Sequence, residues 1–312
     1  MARRRKKKQM TLANILLAIF IIGIYIYTQI GLPTFSLDTI IPKKETQPLS
    51  TDLEIYFLDV GQADCILIIN NGHNMLIDAG NNVDGSKIVK YLKNELHISK
   101  FDYIVGTHPH EDHIGGLDDV IKNFDIDKIY MPDVTTTLKT YEDVLKAIEK
   151  KKYSITIPKI GEKFALGEAK GTIIYTGNNE QDLNGSSIII RLDFGSTSYL
   201  FTGDTTSEIE YQILNKNIDV DVLKVAHHGS SKSTSTAFLK RVTPKYAIIQ
   251  CGKDNDYGHP HSSTLNRIKK YTKDIYVTKD LGTIKLTSDG TNINITNLKT
   301  DTNGVEKKWN MP

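Results

Sequence analysis

Residues 101–116 read FDYIVGTHPHEDHIGG and combine a strand, a polar loop and the start of a helix. A short apolar run of β type ends at Thr107, and the pair Gly115-Gly116 predicts the start of a helix. Neutral imidazole and carboxylate are the ligands that zinc prefers, and a loop at the end of a strand can aim them at one point. Three histidines at this spacing are rare in an ordinary solvated loop, so the segment predicts a metal site. The candidate ligands are His108, His110, Asp112 and His113.

Charge is distributed unevenly along the chain. Its 312 residues include 39 Lys and Arg and 37 Asp and Glu, which gives a net charge of +2. Six of the basic residues stand at 3–8, and the first 30 residues contain no acid, so the remainder carries 33 basic and 37 acidic residues. A net acidic body argues against a broad nucleic-acid-binding surface, which needs clustered Lys and Arg.

An uncharged apolar segment, TLANILLAIFIIGIYIY at 11–27, follows the basic N-terminus. Spans of about 17–25 residues cross a bilayer, and a preceding basic block stays in the cytoplasm. We predict a cytoplasmic N-terminus at 1–10, a single transmembrane anchor at 11–28 and a linker at 29–51. The catalytic domain is then expected on the extracellular face of the cell membrane. A cleaved signal peptide is the alternative, but no small-x-small cleavage site follows the segment.

From residue 52 onward, β-type runs alternate with helical patterns. Turn signals at 70–72 (NNG) and at Gly195 predict two hairpins. Many strands with interspersed helices favour two β-sheets covered by helices on the outside. We predict one α+β hydrolase domain over 52–297 and a polar tail at 298–312. The predicted helices cover 86–95, 115–123, 141–151, 207–215, 235–242 and 262–271.

The pattern His-x-His-x-Asp-His after a strand resembles the hallmark of the metallo-β-lactamase superfamily. Five further stretches, in matching order over about residues 52–290, resemble the extracellular hydrolase domain of ComEC-type DNA-uptake proteins. They are FLDVGQADC at 57–65, LIDAG at 76–80, LFTGD at 200–204, LKVAHHGS at 223–230 and GHPH at 258–261. The resemblance implies an αββα sandwich with a metal site at one edge, between the sheets. A single hydrophobic segment leaves no room for the pore region of ComEC-type proteins, so we expect a stand-alone, membrane-anchored hydrolase.

The resemblance also implies a site for two divalent metal ions. Zn²⁺ is expected, with Mn²⁺ as the alternative, because the same ligands suit both. His108 and His110 are expected to bind the first ion, and Asp112 and His113 the second. Asp204 is expected to bridge the two, as in hydrolases that use a carboxylate where true β-lactamases have a lone histidine in mid-chain.

Two histidine pairs later in the chain are expected to complete the site by the same resemblance. His227 and His259 are predicted to finish the two metal shells. Their neighbours His228 and His261 are close alternatives, and would otherwise contact the substrate and assist catalysis. Asp112 is also predicted to be catalytic, because it can hold the attacking water in line.

These residues favour a metal-dependent phosphodiesterase, of which a nuclease acting on external DNA is one form. An envelope phosphoesterase of the choline-phosphoesterase type is the alternative, and a non-catalytic metal-binding module is a third hypothesis. The expected partners are a phosphodiester, in DNA or in a cell-envelope polymer, and the membrane that holds the anchor. A narrow pocket instead of a long groove would favour the envelope substrate. Oligomeric state is left open.

Overall fold

The computed structural model describes residues 52–298. The predicted anchor and linker, and all of the predicted tail after residue 298, lie outside the described residues. Within 52–298, no helix has both the length and the apolar character needed to cross a bilayer.

Two mixed β-sheets make up the centre of the domain. One has eight strands, β1 (Leu53–Phe57), β2 (Ile66–Asn70), β3 (His73–Ile77), β4 (Lys100–Val105), β5 (Asp125–Tyr130), β6 (Ile155–Thr156), β14 (Ile284–Ser288) and β15 (Ile293–Asn297), in the order β15-β14-β1-β2-β3-β4-β5-β6. The other has seven, β7 (Lys163–Leu166), β8 (Ala169–Tyr175), β9 (Ile189–Phe194), β10 (Thr197–Phe201), β11 (Val222–Lys224), β12 (Tyr246–Ile249) and β13 (Asp274–Val277), in the order β13-β12-β11-β10-β9-β8-β7.

Each sheet combines an antiparallel half and a parallel half. Strands β15, β14, β1, β2 and β3 pair antiparallel, whereas β3 to β6 pair parallel. In the second sheet β7 to β10 are antiparallel and β10 to β13 are parallel. Parallel strands need long crossover connections, which is where the helices lie.

Period-two alternation along the strands gives each sheet two apolar faces. In β1, Leu53, Ile55 and Phe57 lie in the core between the sheets, while Tyr56 lies in the outer core of the first sheet. The strands β2, β3, β9 and β10 alternate in the same way, so that Leu200 of β10 lies in the outer core of the second sheet. Because both faces of both sheets are apolar, each sheet needs a covering layer of helices.

Helices cover the outer faces. Those on the first sheet are α1 (Gly85–Lys90, continued by a π turn at Tyr91–Glu95), α2 (Glu111–Ile114), α3 (Leu117–Asn123) and α4 (Lys139–Lys151). Those after β10 are α5 (Ser207–Gln212), α6 (Thr236–Val242), α7 (Ser262–Ile268) and α8 (Thr278–Leu281). A single turn of 3₁₀ helix occurs at Asn184–Ser186, and Ala226–Gly229 forms a turn in which His227 and His228 have left-handed backbones. The architecture is the predicted αββα sandwich.

Candidate metal centre

The candidate ligands follow the carboxyl ends of strands in both sheets. Asp78 follows β3 and His108 follows β4, and these two strands are parallel. Asp204 follows β10 and His228 follows β11, which are also parallel. Carboxyl ends of parallel strands share one edge of a sheet, and ligands bind there in α/β proteins. The sandwich therefore brings side chains more than 100 residues apart in sequence to one edge.

Four side chains form a compact donor cluster, Asp112, His113, Asp204 and His228, whose ligand atoms lie within 4.8 Å of one another. His113 Nε2 lies 3.2 Å from Asp204 Oδ1, and His228 Nε2 lies 3.2 Å from Asp112 Oδ2. His228 Nε2 also lies 3.5 Å from Asp204 Oδ2. Two donors that share one zinc at about 2.0–2.1 Å in a tetrahedral shell are separated by about 3.3 Å. The cluster has the spacing of a metal shell.

In a neutral histidine, the hydrogen-bond partner of Nδ1 determines whether Nε2 carries a proton or a lone pair. His113 Nδ1 lies 2.7 Å from Asp78 Oδ2, so Nδ1 donates its proton to that carboxylate and neutral Nε2 carries a lone pair. Nε2 of His113 and Oδ1 of Asp204 are both buried and without a hydrogen-bond partner in the described residues, although they face each other. Two buried acceptors in contact require a cation between them.

Without a metal, a proton serves as that cation. Burial alone would lower the pKa of His113, but the carboxylates of Asp204 and Asp78 outweigh it and hold the pKa well above its ordinary value. For Asp204, burial would raise the pKa, but His228 and His113 outweigh it, and the pKa lies well below the usual range. The same charges that bind a proton here are available to a divalent ion.

His228 is positioned like His113. Its Nδ1 lies 2.9 Å from the carbonyl oxygen of Gln250, which can only accept, so Nδ1 carries a proton in either charge state of the ring, and Nε2 faces Asp112 and Asp204. Nε2 donates to these carboxylates when the ring is protonated and presents a lone pair when the ring is neutral. Burial would lower its pKa, but Asp204 and Asp64 raise it to about 10. His228 has a left-handed backbone with φ of 52°, as has His227, and strained conformations of this kind cluster at functional sites.

A buried charge pair lies behind His228. Lys224 Nζ lies 2.7 Å from Asp64 Oδ2, and both side chains are almost completely buried. Asp64 Oδ1 lies 3.3 Å from His228 Nδ1. Removal of one member of a buried pair is costly because the other charge is then unpaired. The pair therefore supports the face of the sheet on which His228 stands.

His108 and His110 face each other beside the cluster. His108 Nε2 lies 3.1 Å from His110 Nδ1, a separation at which both can bind one ion. Thr107 donates its hydroxyl proton to Asp78 at 2.7 Å, so its oxygen is free to accept from His108 Nδ1 at 3.2 Å. That leaves a lone pair on His108 Nε2, directed at His110.

The other three predicted histidines lie at the edge of this group. His227 Nε2 lies 3.6 Å from Asp204 Oδ2, while its Nδ1 is buried without a hydrogen-bond partner in the described region. His259 Nδ1 lies 3.3 Å from Gln62 Nε2. His261 Nδ1 accepts from the Ser231 amide at 3.0 Å. Of these, His227 and His259 line the central cavity.

The cavity over the cluster has a volume of about 540 Å³. Its lining includes His110, Glu111, Asp112, Asn184 and Tyr257, and among residues 52–298 no lysine or arginine lines it. Burial would raise the pKa of Asp112, but His113 and the hydrogen bond from His228 outweigh it, and Asp112 stays ionised.

Several residues that shape the site were not assigned a role from the sequence. Thr107, Gln250 and Lys224 orient or support ligand histidines. Lys224 stands inside the apolar run Val222-Leu-Lys-Val225, and a charge in such a run is a signal of a buried partner. Gln62 and Gln250 carry no such signal, since their contacts join segments about 190 residues apart.

Residues 58–253 match the family model described as the metallo-beta-lactamase superfamily. ComE operon protein 3 of Bacillus subtilis is 28% identical over 257 residues, covering 76% of this chain and 33% of that protein. Recombination protein 2 of Haemophilus influenzae is 27% identical over 269 residues, covering 84% and 30%. The chain thus spans about a third of the length of these curated relatives.

Two solved structures share the fold. The metallo-beta-lactamase fold protein YhfI from Bacillus subtilis gives a TM-score of 0.51 at 14% identity, covering 78% of this chain and all of that one. CmlA, a diiron beta-hydroxylase from Streptomyces venezuelae, gives a TM-score of 0.50 at 14% identity, covering 76% of this chain and 54% of that one. At this identity the likeness concerns the fold alone.

Proposed function

The chain belongs to the metallo-β-lactamase superfamily, a family of metallo-hydrolases, and from this premise we propose that it is a two-metal phosphodiesterase. The observation that carries the proposal is the contact of two buried acceptors, His113 Nε2 and Asp204 Oδ1, at 3.2 Å. Imidazole nitrogens and carboxylates around that contact suit Zn²⁺ or Mn²⁺. Zn²⁺ is our first choice.

Within the proposal, this chain's residues fit two ions. His108 and His110 would hold the first, Asp112 and His113 would hold the second, and Asp204 would contribute to both. His228 completes the second shell, because its Nε2 lies close to both Asp112 and Asp204. His227 is the histidine nearest to Asp204 for the remaining position.

Bound ions would activate water near neutral pH and offset the charge of a phosphoryl group. The protein does the rest through orientation. Asp78 and the Gln250 carbonyl fix the rings of His113 and His228. Asp112, ionised and partly open to the cavity, accepts a hydrogen bond from the attacking water and keeps it in line with phosphorus. Its half-buried carboxylate is the group placed to receive the proton of that water.

Substrate size follows from the cavity. A volume of about 540 Å³ lies in the range of small-ligand pockets, about 300–1,000 Å³. Such a space accepts a compact diester or the end of a polymer more readily than the middle of a duplex. A compact cavity of this kind favours the second candidate, a decorated cell-envelope polymer, and if the substrate is DNA it supports cleavage of a strand terminus.

Membrane attachment is part of the proposal. The basic block at 3–8 and the apolar segment at 11–28 support a single-pass anchor with the hydrolase domain outside the cell. Protease treatment of intact spheroplasts tests it, with degradation of the hydrolase domain as the expected result. Full protection from protease, with degradation only after lysis, would contradict the outward orientation.

The test of activity uses the full chain purified in detergent. Hydrolysis of bis-p-nitrophenyl phosphate with Zn²⁺ or Mn²⁺ is measured beside Asp112→Ala. We expect activity that requires metal and that falls by at least about 100-fold in the variant. Absence of activity in protein that carries two ions would overturn the phosphodiesterase proposal and leave lactone, thioester or monoester substrates. If the protein is active, its rates on DNA ends and on choline-substituted polymers distinguish the two substrate candidates.

A further inference from the structure

A neutral imidazole has one donor and one acceptor nitrogen, so the partner of Nδ1 fixes the chemistry of Nε2. His113 and His228 both direct Nδ1 at an acceptor, Asp78 Oδ2 at 2.7 Å and the Gln250 carbonyl at 2.9 Å. In its neutral form each ring therefore has an unprotonated Nε2, which is the form that binds a metal.

His259 has the opposite arrangement. Its Nδ1 lies 3.3 Å from Gln62 Nε2. The orientation of the Gln62 amide is set independently, because its Oε1 accepts from the backbone N–H of Gly252 at 3.2 Å. An amide nitrogen only donates, so Nδ1 of His259 must accept. A neutral His259 then carries its proton on Nε2 and has no lone pair there for a metal.

The frame around His259 keeps this arrangement in place. Asn255 Oδ1 accepts from the His259 amide at 2.8 Å, and Asn255 Nδ2 donates to the His259 carbonyl at 2.8 Å. Lys279 Nζ donates to the same carbonyl at 3.1 Å. The ring is nearly buried and lines the cavity beside His227 and His228. A loop held at three points gives the ring a fixed position relative to the metal ligands.

His261 shows why the position of His259 matters. Its Nδ1 also accepts, from the Ser231 amide at 3.0 Å, so it has the same tautomer. His259 lines the cavity, whereas His261 is absent from the lining. Of the two histidines in GHPH, His259 is the one placed against a substrate.

We propose that His259 is a substrate-contacting hydrogen-bond donor and not a metal ligand. Its Nε2–H stabilises a phosphoryl oxygen as that oxygen gains negative charge, and the proton stays on Nε2 throughout. Gln62 is a positioning residue that selects this tautomer. The identity of the acceptor as a phosphoryl oxygen rests on the proposed function, whereas the tautomer and the absence of metal ligation do not.

The first experiment counts metal in the full chain after dialysis against Zn²⁺, by elemental analysis. His259→Asn is expected to retain the zinc content of the wild type, while His228→Asn loses about one ion per chain. His73→Asn, which changes an exposed histidine at the far end of β3, is the matched control. Loss of one zinc in His259→Asn, with the wild-type content in the control, would overturn the proposal.

The second experiment observes the tautomer directly. Long-range ¹H–¹⁵N spectra of metal-free protein labelled with ¹⁵N-histidine are expected to show His259 protonated at Nε2. Gln62→Glu replaces the donor by a carboxylate that accepts from Nδ1–H, and is expected to move the proton from Nε2 to Nδ1. A wild-type His259 protonated at Nδ1 would refute the inference. This readout survives even if His259→Asn fails to fold.

Activity gives a third, dependent readout. Removal of one preorganised donor to a developing oxyanion costs about 10²–10³-fold in kcat. His259→Asn and Gln62→Glu are expected to lose kcat to this extent, with unchanged zinc content. Full activity in both variants would overturn the donor role. If the wild type has no phosphodiesterase activity, the proposed function is wrong. The zinc count would still test whether His259 binds metal, and the spectra would still show its tautomer.

Discussion

Asp78→Asn tests the orientation of His113 with almost no change of shape. Oδ1 of Asp78 accepts from the Thr107 amide at 2.8 Å, and Oδ2 accepts from His113 Nδ1 at 2.7 Å. In the variant, the amide oxygen must keep facing the Thr107 N–H, so the new NH₂ faces His113 Nδ1. Nδ1 of His113 then accepts a hydrogen bond, and the proton of the ring moves to Nε2. Nε2 therefore no longer has a lone pair for the metal.

The expected loss follows from the role of such partners. Removing the group that orients a ligand histidine costs about 10–100-fold in metal affinity, which is about 1.4–2.7 kcal/mol. We therefore expect zinc affinity, measured by competition with a chelating dye, to fall 10–100-fold. The metal-free Tm should also fall, because the buried carboxylate that helps to hold a proton on His113 is lost.

The chain provides a matched control. Asp102 makes the same kind of contacts at the protein surface, accepting from the Asn74 amide at 2.8 Å and pairing with His73 Nδ1 at 2.8 Å. Asp102→Asn changes identical chemistry away from the metal centre and should leave zinc affinity at the wild-type level. Equal zinc affinity in Asp78→Asn and wild type, or an equal loss in Asp102→Asn, would refute the reasoning.

Three further predictions concern stability and ligation. Burial raises the pKa of Glu210 to about 7, although hydrogen bonds from Ser235 and Thr234 oppose the shift. The stability that protonated Glu210 contributes is therefore complete below about pH 4.5 and is lost as the pH rises through 7. The free energy of unfolding should fall by on the order of 3 kcal/mol over this range. Urea unfolding from pH 5 to 8 should show this slope in the wild type and not in Glu210→Gln, and parallel slopes would contradict it. Lys224→Met leaves Asp64 buried without its ammonium partner and should lower the unfolding free energy by about 3–5 kcal/mol in urea, an expectation that fails if the loss is under about 1 kcal/mol. Calorimetry should show that the Tm of the wild type in metal at a concentration near 100 Kd is about 5–10 °C higher than its Tm after the metal has been chelated. An equal Tm under the two conditions would count against a link between metal binding and fold stability.

The first half of the metal centre was predictable because its ligands lie within one short segment. Strand, loop and helix signals around residues 101–116 place four candidate ligands at the end of β4, whatever the rest of the chain does. Asp204 was predicted from the family resemblance, and the structure places it just after β10, at the same edge. The hairpins at 70–72 and at Gly195 were confirmed, because turn residues act locally.

Contacts that depend on backbone detail were not predictable. His227 and His228 are adjacent, and the left-handed conformation of both decides which ring meets Asp112. The helices α2 and α8 were missed, because each has only four residues and is held by long-range packing. The sequence therefore indicated the chemistry of the centre, while the division of labour among the later histidines needed the fold.

The hydrogen bond at Nδ1 determines the role of each of three histidines in the centre. Where an acceptor faces Nδ1, as at His113 and His228, the ring offers a lone pair to a cation; where a donor faces it, as at His259, the ring offers a proton to a substrate. The distinction depends on residues that themselves touch neither metal nor substrate. Variants of such residues should alter metal binding or catalysis without removing any ligand.

Anomalous diffraction at the zinc edge, from crystals of the full chain grown with Zn²⁺, tests the central claim most directly. We predict two peaks at the edge of the sandwich. One should lie within about 2.3 Å of Nε2 of His113 and of His228, with Asp204 as a shared ligand and His259 outside both shells. Diffraction data in millimolar zinc that show no anomalous peak between His113 and Asp204 would contradict the two-metal account.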